Sequence, residues 1–270
     1  VLPVGLSPGE RRGKPERSVA EAGLTLTERG QGLPAGAPHN ARKQAALIDR
    51  LRQGPVGLDQ LKTEGFARSI CQALLNKALA TTCDLAIAQR WESLPPPFTA
   101  NEEQQLAITN ILAALGQFSV HLLYGVTGSG KTEVYLQSIA ACLTRGQRAL
   151  VLLPEISLTP QTLARFEARF KAPVLALHSG MGDAERDKTW AAARSGRAAV
   201  IVGTRSAVFT PLMKPGLIIV DEEHDPAFIQ QDGLRYSARD IAIKRGQLED
   251  CVVVLGSATP SLESWQNADT

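Results

Sequence analysis

Residues 125–132 have the spacing of a loop that binds nucleotide phosphates, G-x-x-x-x-G-K-[ST]. An apolar run at 121–124 precedes them and a helical pattern follows, which is the context that this spacing requires. Glycines let backbone N–H groups turn toward phosphate oxygens, and a helix N-terminus adds a partial positive charge. We expect Lys131 to reach the β- and γ-phosphates and Thr132 to ligate Mg²⁺. The predicted nucleotide-binding residues are Gly125, Val126, Thr127, Gly128, Ser129, Gly130, Lys131 and Thr132.

Two adjacent carboxylates, Asp221 and Glu222, follow another apolar run at 217–220. Ionised carboxylates at the end of a buried strand are costly unless they face a cation or water. Beside a phosphate loop, we expect Asp221 to hold Mg²⁺ and Glu222 to orient and deprotonate the attacking water. His224 is placed to carry a signal between nucleotide and polynucleotide. The alternative interpretation of this acidic stretch is a helix N-cap.

A pair of hydroxyls follows a third apolar run, within the sequence Gly-Ser-Ala-Thr-Pro at 256–260. In a tight turn at a strand end, Ser257 and Thr259 can bond to the segment from Asp221 to His224. We therefore expect them to sense the state of that segment. The motif is informative because two other motifs also follow apolar runs.

Two further strand ends carry polar loops, at 153–161 and 202–206. Their hydroxyls, helix-start N–H groups and one arginine suit contacts with sugar and phosphate rather than with bases. The predicted DNA-binding residues are Thr159, Gln161, Thr204, Arg205 and Ser206. Ordinary helix capping by Thr159 and Ser206 is the alternative.

Gln104 lies in the first turns of a predicted helix upstream of the phosphate loop. Its carboxamide has the donor and the acceptor needed to bond N6 and N7 of adenine. The chain has no N-K-x-D pattern of the kind that reads guanine. The sequence therefore favours ATP over GTP.

The elements that position these motifs are an alternation of apolar runs and helical patterns. The apolar runs lie at 119–124, 149–153, 174–177, 198–202, 217–220 and 251–255, and the helical patterns at 102–115, 132–144, 160–170, 184–193 and 238–247. Strands that are apolar on both faces and alternate with helices indicate an α/β fold, a parallel sheet flanked by helices. Ligands of such sheets bind beyond the carboxyl ends of the strands.

The region before residue 93 has a different character. Residues 1–38 are rich in Gly, Pro, Arg and Glu and predict a linker or the remnant of an N-terminal DNA-binding domain. Three short helical patterns in 39–92 favour a small, mostly helical winged-helix domain, with a generic helical domain as the alternative. The Pro-rich stretch at 93–98 marks the boundary of the larger domain, 93–270.

Composition excludes several classes of protein. The net charge of the 270 residues is only +2, although residues 1–97 hold 13 Lys and Arg against 9 Asp and Glu. This mildly basic part fits either a nucleic-acid contact or a solvated surface. Four scattered cysteines without metal-ligand spacing predict reduced thiols in a cytoplasmic protein and no zinc ligands in this chain. A contact with DNA would make such a protein nucleoid-associated. The chain has no apolar run of membrane-spanning length and no signal peptide.

Taken together and in this order, the motifs resemble the first, RecA-like motor lobe of superfamily 2 helicases. The stretch from Asp221 to Asp240 is similar to the aromatic-rich loop of the PriA family of primosomal replication-restart helicases (primosomal protein N′). Residues 125–135, 153–161, 178–180 and 256–260 are similar to that family too. The resemblance is dense over 98–270 and weaker over 39–97, where the family has a winged-helix domain.

The resemblance implies an ATP- and Mg²⁺-dependent 3′-to-5′ DNA helicase. It would act on single-stranded and branched fork DNA, together with primosome and helicase-loading proteins, in replication restart. It assigns the coupling of DNA binding to hydrolysis to Phe228, Gln230, Gln231, Tyr236 and Arg239, with His224, Ser257 and Thr259 beside them. For Phe228 and Tyr236, stacking on bases and burial in the core are both open.

Parts of the family pattern are not in this chain. The second motor lobe, with its arginine finger and its cysteine-rich zinc insertion, has no counterpart among the 270 residues. A transition-state arginine contributes orders of magnitude in rate. We therefore expect this chain alone to bind ATP weakly and to hydrolyse it very slowly.

Two other functions fit the motifs. One is a different superfamily 2 DNA translocase, RecG-like or of the restriction type, although residues 230–240 argue against it. The other is an ATP-dependent scaffold that loads partner proteins and needs nucleotide binding without hydrolysis.

Overall fold

The computed structural model describes residues 22–34, 42–84, 91, 93–96 and 99–268. The described residues up to 84 form one compact unit, and those from 91 onward form a second. Within these ranges no helix has both the length and the apolar character that crossing a membrane requires.

The first unit combines short helices with an antiparallel sheet. Its elements are β1 (Ala22–Leu26), α1 (Glu28–Gln31), α2 (Arg42–Arg52), β2 (Val56–Gly57), α3 (Leu58–Thr63), α4 (Arg68–Asn76) and β3 (Ala80–Asp84). The strands pair in the order β2-β1-β3, and apolar residues of α2, α3 and α4 pack with them in one core. The winged-helix assignment of this region stays a prediction.

Part of the region 1–38, predicted as a linker or the remnant of an N-terminal DNA-binding domain, is folded, because β1 and α1 lie inside it. The linker alternative therefore does not hold for these residues. Leu24 and Leu26 are buried, and β1 pairs along its whole length with β3. β1 alternates small or polar residues with leucines, and such a short strand carries too few apolar residues to stand out in a Gly-rich stretch. Residues 1–21 and 35–38 of this region lie outside the described residues.

The second unit contains the predicted α/β fold. Its helices are α5 (Glu102–Ala114), α6 (Lys131–Thr144), α7 (Pro160–Arg169), α8 (Asp183–Arg194), α9 (Ala238–Glu249) and α10 (Leu262–Ala268). Its strands are β4 (Ser119–Tyr124), β5 (Arg148–Leu152), β6 (Val174–Leu177), β7 (Val200–Gly203), β8 (Pro215–Asp221), β9 (Ile229–Gln230), β10 (Tyr236–Ser237) and β11 (Val252–Ser257).

Six of these strands form one parallel sheet in the order β4-β11-β8-β5-β7-β6. Its central strands are buried on both faces, since helices pack on each side and enclose two apolar cores. Register places Tyr124 beside Ser257 and Asp221 beside Gly256. The carboxyl ends of β4, β11 and β8 therefore meet at one edge of the sheet, where the three main motifs begin.

Candidate functional site

The phosphate loop joins the end of β4 to the start of α6. Gly128 and Gly130 have φ angles of 84° and 86°, a left-handed backbone that favours glycine. In the part of the chain that the structure describes, the backbone N–H groups of Thr127, Gly128, Gly130, Lys131 and Thr132 have no protein acceptor. Unpaired donors at a helix N-terminus suit an anion. The loop therefore has the backbone geometry of the predicted phosphate-binding loop, while phosphate binding itself stays a prediction.

Lys131 lies between the loop and the predicted catalytic carboxylate. Its Nζ donates to the Gly125 carbonyl over 2.7 Å and lies 3.9 Å from Oε1 of Glu222. Glu222 itself has a left-handed backbone with φ of 51°, which is costly for a residue with a side chain. Strain of this kind concentrates at functional sites, and here it occurs at the residue predicted to act on water.

Asp221, at the end of β8, accepts a hydrogen bond of 2.8 Å from the Tyr135 hydroxyl. Burial raises the pKa of its carboxyl, and the bond from Tyr135 only partly offsets this. Thr132, Asp221 and Glu222 line one cavity with the phosphate loop. A hydroxyl and a carboxylate beside phosphates are the ligand set that Mg²⁺ commonly uses, so these residues fit the ion. Within the described ranges, no cluster of three or more His, Cys, Asp and Glu side chains is arranged to hold a metal ion.

We expect Asp221→Asn to raise the melting temperature of the metal-free protein by a few degrees at about pH 7. Because burial raises the pKa of Asp221 in the folded state, its ionised form destabilises the fold. This penalty shrinks as the pH falls through the folded pKa and disappears below the ordinary pKa of aspartate. Thermal unfolding of both proteins should therefore converge in acid. A gain that persists unchanged at low pH would contradict this account.

His224 connects the acidic segment to the hydroxyl motif. Its Nδ1 lies 2.7 Å from Oγ of Ser257, and its Nε2 lies 3.1 Å from Oγ1 of Thr259. Nδ1 is also 3.8 Å from Oε2 of Glu222. The contact expected between these two motifs is therefore present, while the sensing role of the hydroxyls stays a prediction.

Glu223 is a buried hub that sequence reasoning missed. Its side chain has no exposed surface and accepts hydrogen bonds from the Ser261 backbone N–H (2.7 Å), the Ser264 hydroxyl (2.9 Å) and Nη1 of Arg239 (3.2 Å). It therefore ties the acidic segment to α9, to the residue before α10 and to α10 itself. The donors lie far from Glu223 in sequence, so no local pattern indicates their proximity.

We expect Glu223→Ala to lower the free energy of unfolding by about 1.5–3 kcal/mol, the range for hydrogen bonds to a charged group. The loss stays below that of a fully buried ion pair because Arg239 keeps Asp240 and Glu263 as partners. Urea unfolding of this chain would measure it. Glu263→Ala is the matched control, since it removes an exposed partner of the same arginine and should change stability by about 1 kcal/mol or less. Equal losses in the two variants would contradict the role of Glu223.

The predicted coupling loop is a short antiparallel hairpin, β9 and β10, in which Gln230 pairs with Tyr236. Gln231 lies exposed in its turn. Phe228 is buried in the sheet core, which decides against its stacking on bases. The Tyr236 and Phe209 rings pack edge to face, with ring centroids 5.0 Å apart, and the Tyr236 side chain remains partly exposed.

A groove of about 500 Å³ adjoins this hairpin. It brings together three of the predicted DNA-binding residues with three of the coupling residues, namely Thr204, Arg205, Ser206, Phe228, Gln230 and Tyr236. Nη1 of Arg205 donates to the carbonyls of Ala227 (3.3 Å) and Ile229 (3.0 Å), so this arginine also supports the hairpin.

The other predicted DNA contacts are less favoured. Thr204 is buried despite lining the groove. Thr159 caps α7, accepting from the Thr162 N–H over 3.1 Å, which is the alternative that the sequence left open. Neither Thr159 nor Gln161 lines the groove. Their role in binding DNA stays a prediction.

Gln104, which the sequence predicts to contact adenine, lies beside the phosphate loop. Its Nε2 donates to the Ser129 carbonyl over 2.8 Å, and its Oε1 accepts from the Asn101 N–H over 3.0 Å. Both ends of the carboxamide are thus engaged, in the helix cap and on the phosphate loop. Gln104 also does not line the cavity that contains the phosphate loop. It supports the loop in this structure, and its contact with adenine stays a prediction.

Comparison with known proteins places these features in context. The DEAD/DEAH box helicase family matches residues 101–268. A replication restart protein PriA of Haemophilus influenzae is 42% identical over 278 residues, covering 99% of this chain and 37% of the relative. Those of Bacillus subtilis and Chlamydia pneumoniae are 47% and 43% identical over 245 and 236 residues, covering 86% and 83% of this chain and 30% and 32% of the relatives. The chain thus spans about a third of the length of each relative.

Proposed function

Because the chain belongs to the DEAD/DEAH box helicase family, we propose that it is the first motor lobe of an ATP-dependent 3′-to-5′ DNA helicase that acts at stalled or branched forks in replication restart. Its similarity to proteins described as replication restart protein PriA supports the restart role. The proposed partners are single-stranded and branched DNA and the proteins of the primosome that load the replicative helicase.

One observation carries the proposal: the segment from Asp221 to Arg239 lies at both sites. At its start, Glu222 lies 3.9 Å from the phosphate-loop lysine, Lys131. Further along, Gln230 and Tyr236 line the groove beside the hairpin. At its end, Arg239 bonds back to Glu223. A movement of the hairpin on binding DNA is therefore mechanically connected to the carboxylates beside the nucleotide.

In the proposed mechanism, the unpaired N–H groups of the loop and Lys131 bind the ATP phosphates, and Thr132 with Asp221 holds Mg²⁺. The ion neutralises phosphate charge when bound. Glu222 orients water and accepts its proton. We propose that the part of the protein outside this chain supplies the arginine finger and the zinc site, and that this chain alone turns over ATP very slowly.

Unwinding by the full-length protein tests the finer part of the proposal. Partial duplexes with either a 3′ or a 5′ single-stranded tail, and a branched fork, are incubated with protein, ATP and Mg²⁺. We expect unwinding of the 3′-tailed substrate and of the fork. Unwinding of only the 5′-tailed duplex would overturn the polarity, and no ATP-dependent unwinding of any substrate would overturn the helicase activity.

A further inference from the structure

Gly256, the first residue of the Gly-Ser-Ala-Thr-Pro motif, leaves a space that a side chain would fill. It lies on β11 directly beside Asp221 of β8. A Cβ atom at this position would overlap the hydroxyl oxygen of Tyr135 and would lie 3.1 Å from Oδ1 of Asp221. Only a residue without a side chain therefore leaves room for the tyrosine hydroxyl to reach Asp221.

Tyr135 of α6 occupies that space. Its hydroxyl donates to Oδ1 of Asp221 over 2.8 Å, and the residue is 2% exposed and packed in the sheet core. Since the surrounding core holds the ring in place, the hydroxyl is a donor in a fixed position. Tyr135 follows Thr132 by three residues, so both side chains lie on the same side of α6. One helix thus carries a predicted Mg²⁺ ligand and the donor that contacts the other.

The hydrogen bond from Tyr135 acts on the orientation of the Asp221 carboxylate. The terminal torsion of an aspartate side chain has only broad preferences, so a carboxylate without a partner can rotate. Donation to Oδ1 restricts this rotation at the wall of the cavity that contains the phosphate loop. Tyr135 does not itself line that cavity, so it can act on a bound ion only through Asp221. Partners that orient a metal ligand in this way typically change metal affinity or activity about 10–100-fold.

We propose that Tyr135 is a positioning residue for magnesium, whose hydroxyl sets the orientation in which Asp221 meets the ion, and that residue 256 is glycine so that this hydroxyl can pass. The inference rests on the proposed function, in which Asp221 holds Mg²⁺. It gives each of the three motifs at this edge of the sheet a part in one arrangement. The helix after the phosphate loop supplies the donor, β8 supplies the ligand, and β11 supplies the space between them.

Calorimetry of ATP binding to this chain, once with Mg²⁺ and once with EDTA, tests the inference. Tyr135→Phe should weaken binding of Mg–ATP roughly 10-fold and leave binding of metal-free ATP within about twofold. Tyr124→Phe is the matched control, because it removes the hydroxyl of an exposed tyrosine that does not line the cavity, and it should change neither affinity. In the full-length protein, Tyr135→Phe should also raise the Mg²⁺ concentration that gives half-maximal ATP hydrolysis.

Gly256→Ala tests the role of the space beside Asp221. The added methyl group should displace the Tyr135 hydroxyl and weaken Mg–ATP selectively, as Tyr135→Phe does. The double variant should lose little more than either single variant, because both changes remove the same hydrogen bond. Losses that add in full would show that Gly256 does not act through Tyr135 and would overturn that part of the inference.

The possible outcomes separate this inference from the proposed function. If Tyr135→Phe weakens ATP equally with Mg²⁺ and with EDTA, Tyr135 only supports the fold and the inference is wrong. If Tyr135→Phe leaves the affinity for Mg–ATP unchanged, Asp221 needs no positioning by the hydroxyl and the inference is also wrong. If the unaltered chain binds ATP no more tightly with Mg²⁺ than with EDTA, the proposed magnesium site itself fails.

Discussion

Replacing Glu222 by Gln should lower ATP hydrolysis by the full-length protein roughly 10²–10⁴-fold, the contribution typical of general acid–base catalysis. Gln keeps the size of the side chain but cannot accept a proton from water. ATP binding should remain, because the contact of Glu222 with the phosphate loop is a distant one. Its Oε1 lies 3.9 Å from Nζ of Lys131. Steady-state hydrolysis and equilibrium binding together measure the two effects.

The same variant separates a motor from a scaffold. If DNA unwinding and fork processing stop together with ATP hydrolysis, the result supports the interpretation of the protein as a motor. If fork processing persists in the variant, recruitment of partners is the main function and the motor is not needed for that step. Glu167→Gln, an exposed change on α7, is the control and should leave hydrolysis unchanged.

We expect Lys131→Ala to weaken binding of Mg–ATP to this chain roughly 10–150-fold, because a hydrogen bond to a charged group contributes about 1.5–3 kcal/mol. The change removes the only side-chain cation of the phosphate loop. The fold should tolerate it, since within the described residues Nζ donates to the Gly125 carbonyl of its own loop and otherwise approaches Glu222 at 3.9 Å. Calorimetric titration with ATP measures the loss.

A matched control for Lys131→Ala is Lys188→Ala, an exposed lysine of α8 outside the nucleotide cavity. Its ATP affinity should equal that of the unaltered chain. An unchanged affinity in Lys131→Ala, with the melting temperature intact, would mean that the phosphates bind elsewhere.

The sequence predicts the large unit well because its signals are strong and local. Each of the six strands of the parallel sheet overlaps a predicted apolar run, and the five predicted helices are present. Uninterrupted apolar runs identify strands that are buried on both faces. The motifs follow these strands, so their meeting at one edge follows from parallel topology. The expected resemblance to PriA helicases is confirmed by the relatives.

Features that depend on distant or weak signals were not predictable. β1 and β3 are short strands of an antiparallel sheet and carry few apolar residues. The hub at Glu223 needs donors from residues 16 to 41 positions away. The engagement of Gln104 with Ser129 depends on how α5 packs beside the phosphate loop. Each of these is set by tertiary packing, which local patterns do not record.

The most direct test of the coupling between nucleotide and DNA is the rate of ATP hydrolysis by this chain and by the full-length protein, each with and without branched DNA. We predict that the full-length protein is stimulated by DNA, whereas this chain binds ATP but shows almost no turnover under either condition. DNA-stimulated turnover by the 270-residue chain alone, at about 1–100 s⁻¹ as in kinases, would contradict the account. So would hydrolysis by the full-length protein that does not respond to DNA.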